Sequence, residues 1–225
     1  MALSVDVTTD DVQRGDPRFP VVITLLIAMA LPLLMPDELL PGPRWAIPAI
    51  IAAFLVGLLV VDPGQIDRRS REAHWLRLGL VGVLVITCSW STVVLIHSLI
   101  YGRSGVSETA TELLRSGGLV WVGLVITFSF LYWELDAGGP GERSHAERRS
   151  PDFAFPQDLS PAISKPGWRP TFIDYLYLGI TNSTAFSPTD VMPLAHWAKL
   201  SMALQSVTSL LIIGLVIARA VNILN

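Results

Sequence analysis

Between Thr181 and Asp190 the chain places Thr181, Asn182, Thr184, Ser187 and Thr189, then closes the run with the carboxylate of Asp190. Hydroxyl and amide oxygens at this density can coordinate a monovalent cation or line an aqueous path, and Asp190 adds charge. The run "AFSPTDVMP" also carries Pro188 and Pro193, as a surface loop would, yet "FIDYLYLGITNST" just before it suits a membrane-embedded helix. Non-helical backbone is tolerated at membrane depth only where protein buries it or where it lines a water-filled path. The blander reading is that these polar groups satisfy one another inside a sealed bundle. No enzyme is expected: there is no paired His-Glu metal motif, phosphate loop or Ser-His-Asp set, and His74, His97, His145 and His196 are scattered.

The elements that position this run are membrane helices. Of the 225 residues 51% are hydrophobic and 16% charged, against about 25% charged in soluble domains. Mean hydropathy is +0.52, which indicates a polytopic membrane protein. The net charge of -3 argues against a nucleic-acid partner. The one cysteine, Cys88, lies in an apolar run and reads as a packing thiol. The polar, acidic stretch 1–18 lacks the pattern of a cleavable signal and reads as an N-terminal tail.

Five apolar stretches approach the roughly 20 residues needed to cross a bilayer: Phe19–Met35, Trp45–Val61, Leu78–Ile100, Leu119–Leu135 and Leu194–Leu224. Trp45, Trp75, Trp121, Trp133 and Trp197 fall near their ends, where indole rings favour the headgroup region. Residues 36–44 make a tight turn, 62–77 a charged loop, and "SETATELLR" in 101–118 a short surface helix capped by Ser107 or Thr109. The connection 136–170, rich in Gly, Pro and Arg, is expected to be irregular. A further helix over 171–184 begins at Thr171, with Asp174 at its positive end. It is too short to cross, so 171–193 is expected to dip in and return on the same side. The fold class expected is an all-α membrane protein of five spans plus one re-entrant helix.

The stretch 119–225 resembles the potassium-channel pore module: outer helix, pore helix (171–184), filter and inner helix (194–224). Asp190 and Pro193 match that family's filter ending, Thr184 falls on the first pore-helix threonine and Ala185 on the second. Phe186, Ser187, Pro188 and Thr189 stand where the family carries its glycine-bearing filter, and "GLVIA" from Gly214 resembles the middle of the inner helix. Without glycines the carbonyl cage of a potassium filter cannot form, because alternate carbonyls reach the axis only through left-handed torsions. Side chains would then select the ion. The resemblance implies a homotetrameric cation channel with altered selectivity, K+ or Na+ near Thr184 and Ser187, and Gln205, Ser209 and Gly214 lining the inner helix. No other cofactor is implied. A nonconducting scaffold with the same fold is the alternative. A small transporter is disfavoured by the absence of a repeat or of paired broken helices.

Basic residues set the orientation. Arg14, Arg18, Arg68, Arg69, Arg71, Arg77, Arg143, Arg148, Arg149, Lys165 and Arg169 share one side of a five-span chain, while Arg44, Arg103, Arg115 and Arg219 lie on the other. The positive-inside rule puts the N-terminus and the filter-like loop on the cytoplasmic side of the cell membrane, opposite to potassium channels. Among the remaining polar residues, Thr87, Ser89, Ser91, Thr92 and His97 read as packing groups of the third stretch. Glu134 and Asp136 read as solvated helix ends, and Lys199 as a snorkelling side chain. Gln205 either bonds across subunits or faces the path.

Overall fold

The computed structural model describes residues 16–61, 71–101, 109–143, 150–160, 162, 164–165, 167–185 and 190–224. The helices are α1 (Arg18–Leu34), α2 (Ala46–Val61), α3 (Arg71–Tyr101), α4 (Ala110–Leu135), α5 (Pro140–Arg143), α6 (Pro156–Leu159), α7 (Phe172–Ala185) and α8 (His196–Leu224). Strands β1 (Phe153–Ala154) and β2 (Met192–Pro193) form one antiparallel pair, with Phe153 opposite Pro193 and Ala154 opposite Met192. Among the described residues, α3, α4 and α8 are long and apolar enough to cross a membrane, whereas α1 and α2 are shorter apolar helices. The protein is therefore mostly helical and of membrane type.

Local sequence explains the boundaries. Pro48 sits in the first turn of α2, where its missing N–H costs nothing. Thr109 caps α4 by accepting a hydrogen bond from the Glu112 N–H at 3.2 Å. That helix then runs unbroken to Leu135, so the separate surface helix expected in 101–118 is instead the first turns of α4. Likewise α3 begins at Arg71 and not at Leu78, and takes in 71–77 of what reads as a charged loop. Tertiary bonding accounts for this, since His74 and Arg77 both reach Glu134 on α4.

Helix α4 sits at the centre and packs against α1, α3, α7 and α8. Close pairs fix the directions. The Trp133 indole donates to Asp16 and Arg115 donates to the Leu34 carbonyl, so α1 runs antiparallel to α4. Tyr132 meets Gln205 and Trp121 meets Ser209, so α8 is antiparallel to α4 as well. A Cβ on Gly117 would stand 2.6 Å from Val216, continuing that register to the far end. The starts of α1, α3, α7 and α8 thus gather with the ends of α2 and α4 at what is called here the Glu134 end; the other is the Gly117 end.

The connection after α4 is ordered where described, contrary to its composition. Ala137 adopts φ 51°, and Gly138 and Gly139 have φ 84° and 96°. The Ala137 N–H is held by Asp152 Oδ2 at 2.9 Å. Glycine is required at 139, where a Cβ would lie 2.9 Å from the Glu134 carbonyl. Phe153 and Phe155 are buried, and they pack edge-on against Tyr132, Tyr175 and Trp197. Aromatic burial, which is worth more than area alone through edge-to-face geometry, overrides the Gly, Pro and Arg content.

Candidate functional site

Helix α7 begins at the Glu134 end with a side-chain cap from Asp174. The Asp174 carboxylate accepts from the Thr171 N–H at 2.7 Å and from its hydroxyl at 2.9 Å. The expected bounds 171–184 shift by one residue, to Phe172–Ala185. Gly179 lets α7 lie directly on α4: a Cβ there would stand 2.2 Å from Ser129 Oγ and 3.1 Å from the Val125 carbonyl. Further along, Asn182 and Ser183 reach the middle of α8, where Ser209 stands about 20 Å along the helix from His196 at 1.5 Å per residue. The chain then returns, because β2 pairs with β1 and Leu194 N–H donates to the Asp152 carbonyl at 2.8 Å. Start and return of this segment lie at one end of the bundle.

Gln205 is the hub of the contact. Its Oε1 accepts from Tyr132 Oη and from Asn182 Nδ2, both at 2.7 Å. Its Nε2 donates to the Gly179 carbonyl at 2.9 Å and to Ser183 Oγ at 2.8 Å. Ser206 Oγ donates to the Asn182 backbone and side-chain oxygens, both at 3.1 Å. Ser209 Oγ donates to the Ser183 carbonyl at 2.6 Å and accepts from the Trp121 indole at 2.8 Å. Every polar atom of the Gln205 amide is matched, which is the condition for burying it.

A second cluster anchors the start of α7. Tyr175 donates its hydroxyl to Asp136 Oδ2, while Asp136 Oδ1 accepts from the Asp152 N–H at 2.7 Å and the Phe153 N–H at 3.3 Å. Arg143 Nη1 donates to the Trp133 and Asp136 carbonyls at 2.8 and 2.7 Å, and its guanidinium lies 4.9 Å from the Tyr175 ring centre. Beside it, Glu134 takes Arg77 Nε at 2.8 Å and His74 Nδ1 at 2.9 Å. Glu134 and Asp136 are both fully buried, so they are structural ligands of backbone and arginine and not solvated helix ends. Burial pushes the carboxyl of the neighbouring Asp16 above its ordinary value, against the pull of Arg143 and the Trp133 hydrogen bond.

The expected path residues separate into groups. Asn182, Gln205 and Ser209 are buried inside the protomer. Gln205 and Ser209, expected to line the inner helix, bond to residues of α4 and α7 within the protomer. Thr181 is half-buried and Thr184 exposed, both bonded back to preceding turns of α7: Thr181 Oγ1 to the Tyr177 carbonyl at 2.9 Å, Thr184 Oγ1 to the Ile180 carbonyl at 3.0 Å. Ala185, Asp190 and Gly214 are exposed. Phe186, Ser187, Pro188 and Thr189 lie outside the described residues, so the cation position at Ser187 does too. No group of three or more metal-binding side chains occurs among the described residues.

Tryptophan placement needs correction in part. Trp45 and Trp75 are exposed near helix ends, as a headgroup residue would be, but Trp133 is buried against Phe130 and Phe172, and Trp121 bonds Ser209. Ser91 donates to the Leu39 carbonyl at 2.8 Å, in keeping with its packing role. Sequence reasoning missed Tyr132, Ser183, Ser206, Arg77, His74 and Arg143. The available signal was the 3–4 spacing of Gln205 and Ser209 on one helix and of Gly179 and Asn182–Ser183 on the other, which marks two facing polar stripes. Comparison of the chain with protein-family models, curated proteins and solved structures finds no match.

Proposed function

We propose that this chain is a potassium-channel-like cation channel in which copies, as a homotetramer, bring the α7 ends together around an axis. In this reading α1, α2, α3, α4 and α8 cross the cell membrane and α7 is re-entrant. Helices α1 and α2, with 17 and 16 residues, rise only about 25 Å, so the bilayer thins locally around them. Arg18, Arg71, Arg77, Arg143, Lys165, Arg169 and Lys199 belong to the Glu134 end, which favours a cytoplasmic position for that end and for the loop after α7.

One observation carries the reading. The last turn of α7 lies level with the middle of α8, and Thr184 and Ala185 there are exposed on the protomer surface. A helix C-terminus has carbonyls without intrahelical partners and a partial negative charge. Hydrocarbon cannot satisfy them, whereas water, a cation and neighbouring copies can. Asp190, exposed on the return path, adds charge of the same sign. Side chains and helix ends, not a carbonyl cage, would then set selectivity between K+ and Na+.

The nonconducting scaffold is kept as a second reading because the Gln205 network satisfies itself within one chain. Flux of K+ and Na+ into liposomes separates the two. Wild-type protein is expected to pass cations above protein-free liposomes, with Asp190→Asn lowering the rate several-fold and Thr184→Val altering the K+/Na+ ratio. Absence of flux supports the scaffold, and flux indifferent to both substitutions removes the path from α7.

A further inference from the structure

An open, mostly apolar groove lies where the start of α1 meets the end of α2, floored by α3 and α4. Its walls include Val21, Leu25, Leu58, Phe130 and Trp133, and Arg18 and Arg77 are also among its lining residues. Helix α2 explains the gap. Ile51 is its buried residue, while Leu55 and Leu58, although turned toward the bundle, stay half-buried. An apolar cleft does not hold water well, and the shortness of α1 and α2 brings its mouth within reach of the headgroup layer.

We infer that this groove is a binding site for an anionic phospholipid of the Glu134-end leaflet, with one acyl chain along Val21, Leu25 and Leu58 and the phosphate at Arg18. The shape argument is that a phospholipid is apolar along its length and anionic at one end, as the groove is apolar along its length and cationic at the α1 start. The charge argument holds after the acidic neighbours are counted. Glu134 is occupied by Arg77 and His74, Asp16 is bonded to the Trp133 indole, and Asp174 is engaged by the Thr171 N–H and hydroxyl. A guanidinium has five N–H donors, so Arg18 can bond within the protein and still offer a fork to phosphate. Ordinary lipid contact would fill the cleft without regard to headgroup; the arginine makes the site selective. This site is independent of ion conduction.

Trp133 in the groove wall supplies the readout. Full-length protein is reconstituted with phosphatidylglycerol or phosphatidylcholine carrying brominated acyl chains, and the quenching due to Trp133 is taken as the difference from Trp133→Phe. Quenching is expected to half-saturate at a mole fraction about fivefold lower for the anionic lipid, the weight of one arginine near an anionic surface. Arg18→Gln should abolish that preference. Val22→Phe, which narrows the cleft and leaves Arg18 in place, should reduce the amplitude for both lipids. Equal half-saturation for the two lipids, a preference that survives Arg18→Gln, or no Trp133 quenching by either lipid would overturn the inference.

Discussion

Asp136 and Gln205 each gather hydrogen bonds from several elements onto α7, but they use opposite chemistry. At the start of α7 the fixing group is a carboxylate, surrounded by Tyr175, two backbone N–H groups and the nearby Arg143, with the Glu134–Arg77 pair alongside. Halfway along the bundle it is a neutral amide, matched by Tyr132, Asn182, Ser183 and a backbone carbonyl. Charge in the membrane is tolerable only with a partner, and is most tolerable close to the headgroups. Deeper in, neutral donors and acceptors hold helices together at modest strength, about 0.6 kcal/mol each on average. The first cluster therefore fixes where α7 begins, and the second fixes how its far half lies against α8.

Breaking the charged cluster is expected to have the largest effect. Arg77→Leu leaves the buried Glu134 carboxylate with His74 alone, and loss of about 3–5 kcal/mol is expected in a reversible unfolding titration in detergent micelles. The double substitution Arg77→Leu, Glu134→Leu should recover most of it. Next is the close contact between α7 and α4. Gly179→Ala should cost about 2–3 kcal/mol, because the new methyl meets Ser129 Oγ and a backbone carbonyl. Ser129→Ala in the same chain should return part of that loss.

The neutral hub is expected to be worth less than either. Gln205→Leu removes the four bonds of one amide and should destabilise by about 2 kcal/mol on the same titration. A loss as large as that of Arg77→Leu would erase the distinction between the clusters. The smallest effect concerns Asp16. Its carboxyl titrates higher in the folded chain than the ordinary 3.8, so folding takes up protons there. Its contribution is full below the unfolded value and is lost as pH rises through the folded value. The stability of Asp16→Asn relative to wild type should accordingly rise over that window and level off above it.

The bounds of α1, α2 and α8 are legible from apolar runs and prolines to within about two residues. The starts of α3 and α4 are not, because charged residues in 71–77 and 110–118 look like loop until His74 and Arg77 are seen to meet Glu134 and Arg115 to meet the Leu34 carbonyl. The connection 136–170 misleads for a related reason: its Gly and Pro residues are local signals, whereas Asp136, Phe153 and Phe155 are ordered by residues far away in sequence. The short helix α7 was readable from the sequence to within one residue. Which way its polar face turns was not, since an amide such as Gln205 is satisfied equally well across copies or within one chain, and packing on Gly179 decides it.

The proposed channel requires that α7 enter and leave by one face. In a Cys88→Ala background, single cysteines at Lys165, Asp190 and Arg44 can be labelled with a membrane-impermeant thiol reagent in right-side-out and inside-out vesicles. Lys165→Cys and Asp190→Cys are expected to react in the same preparation, the inside-out one, and Arg44→Cys in the other. Reaction of positions 165 and 190 in opposite preparations would mean that α7 crosses the bilayer, and the re-entrant geometry with the pore built on it would be contradicted.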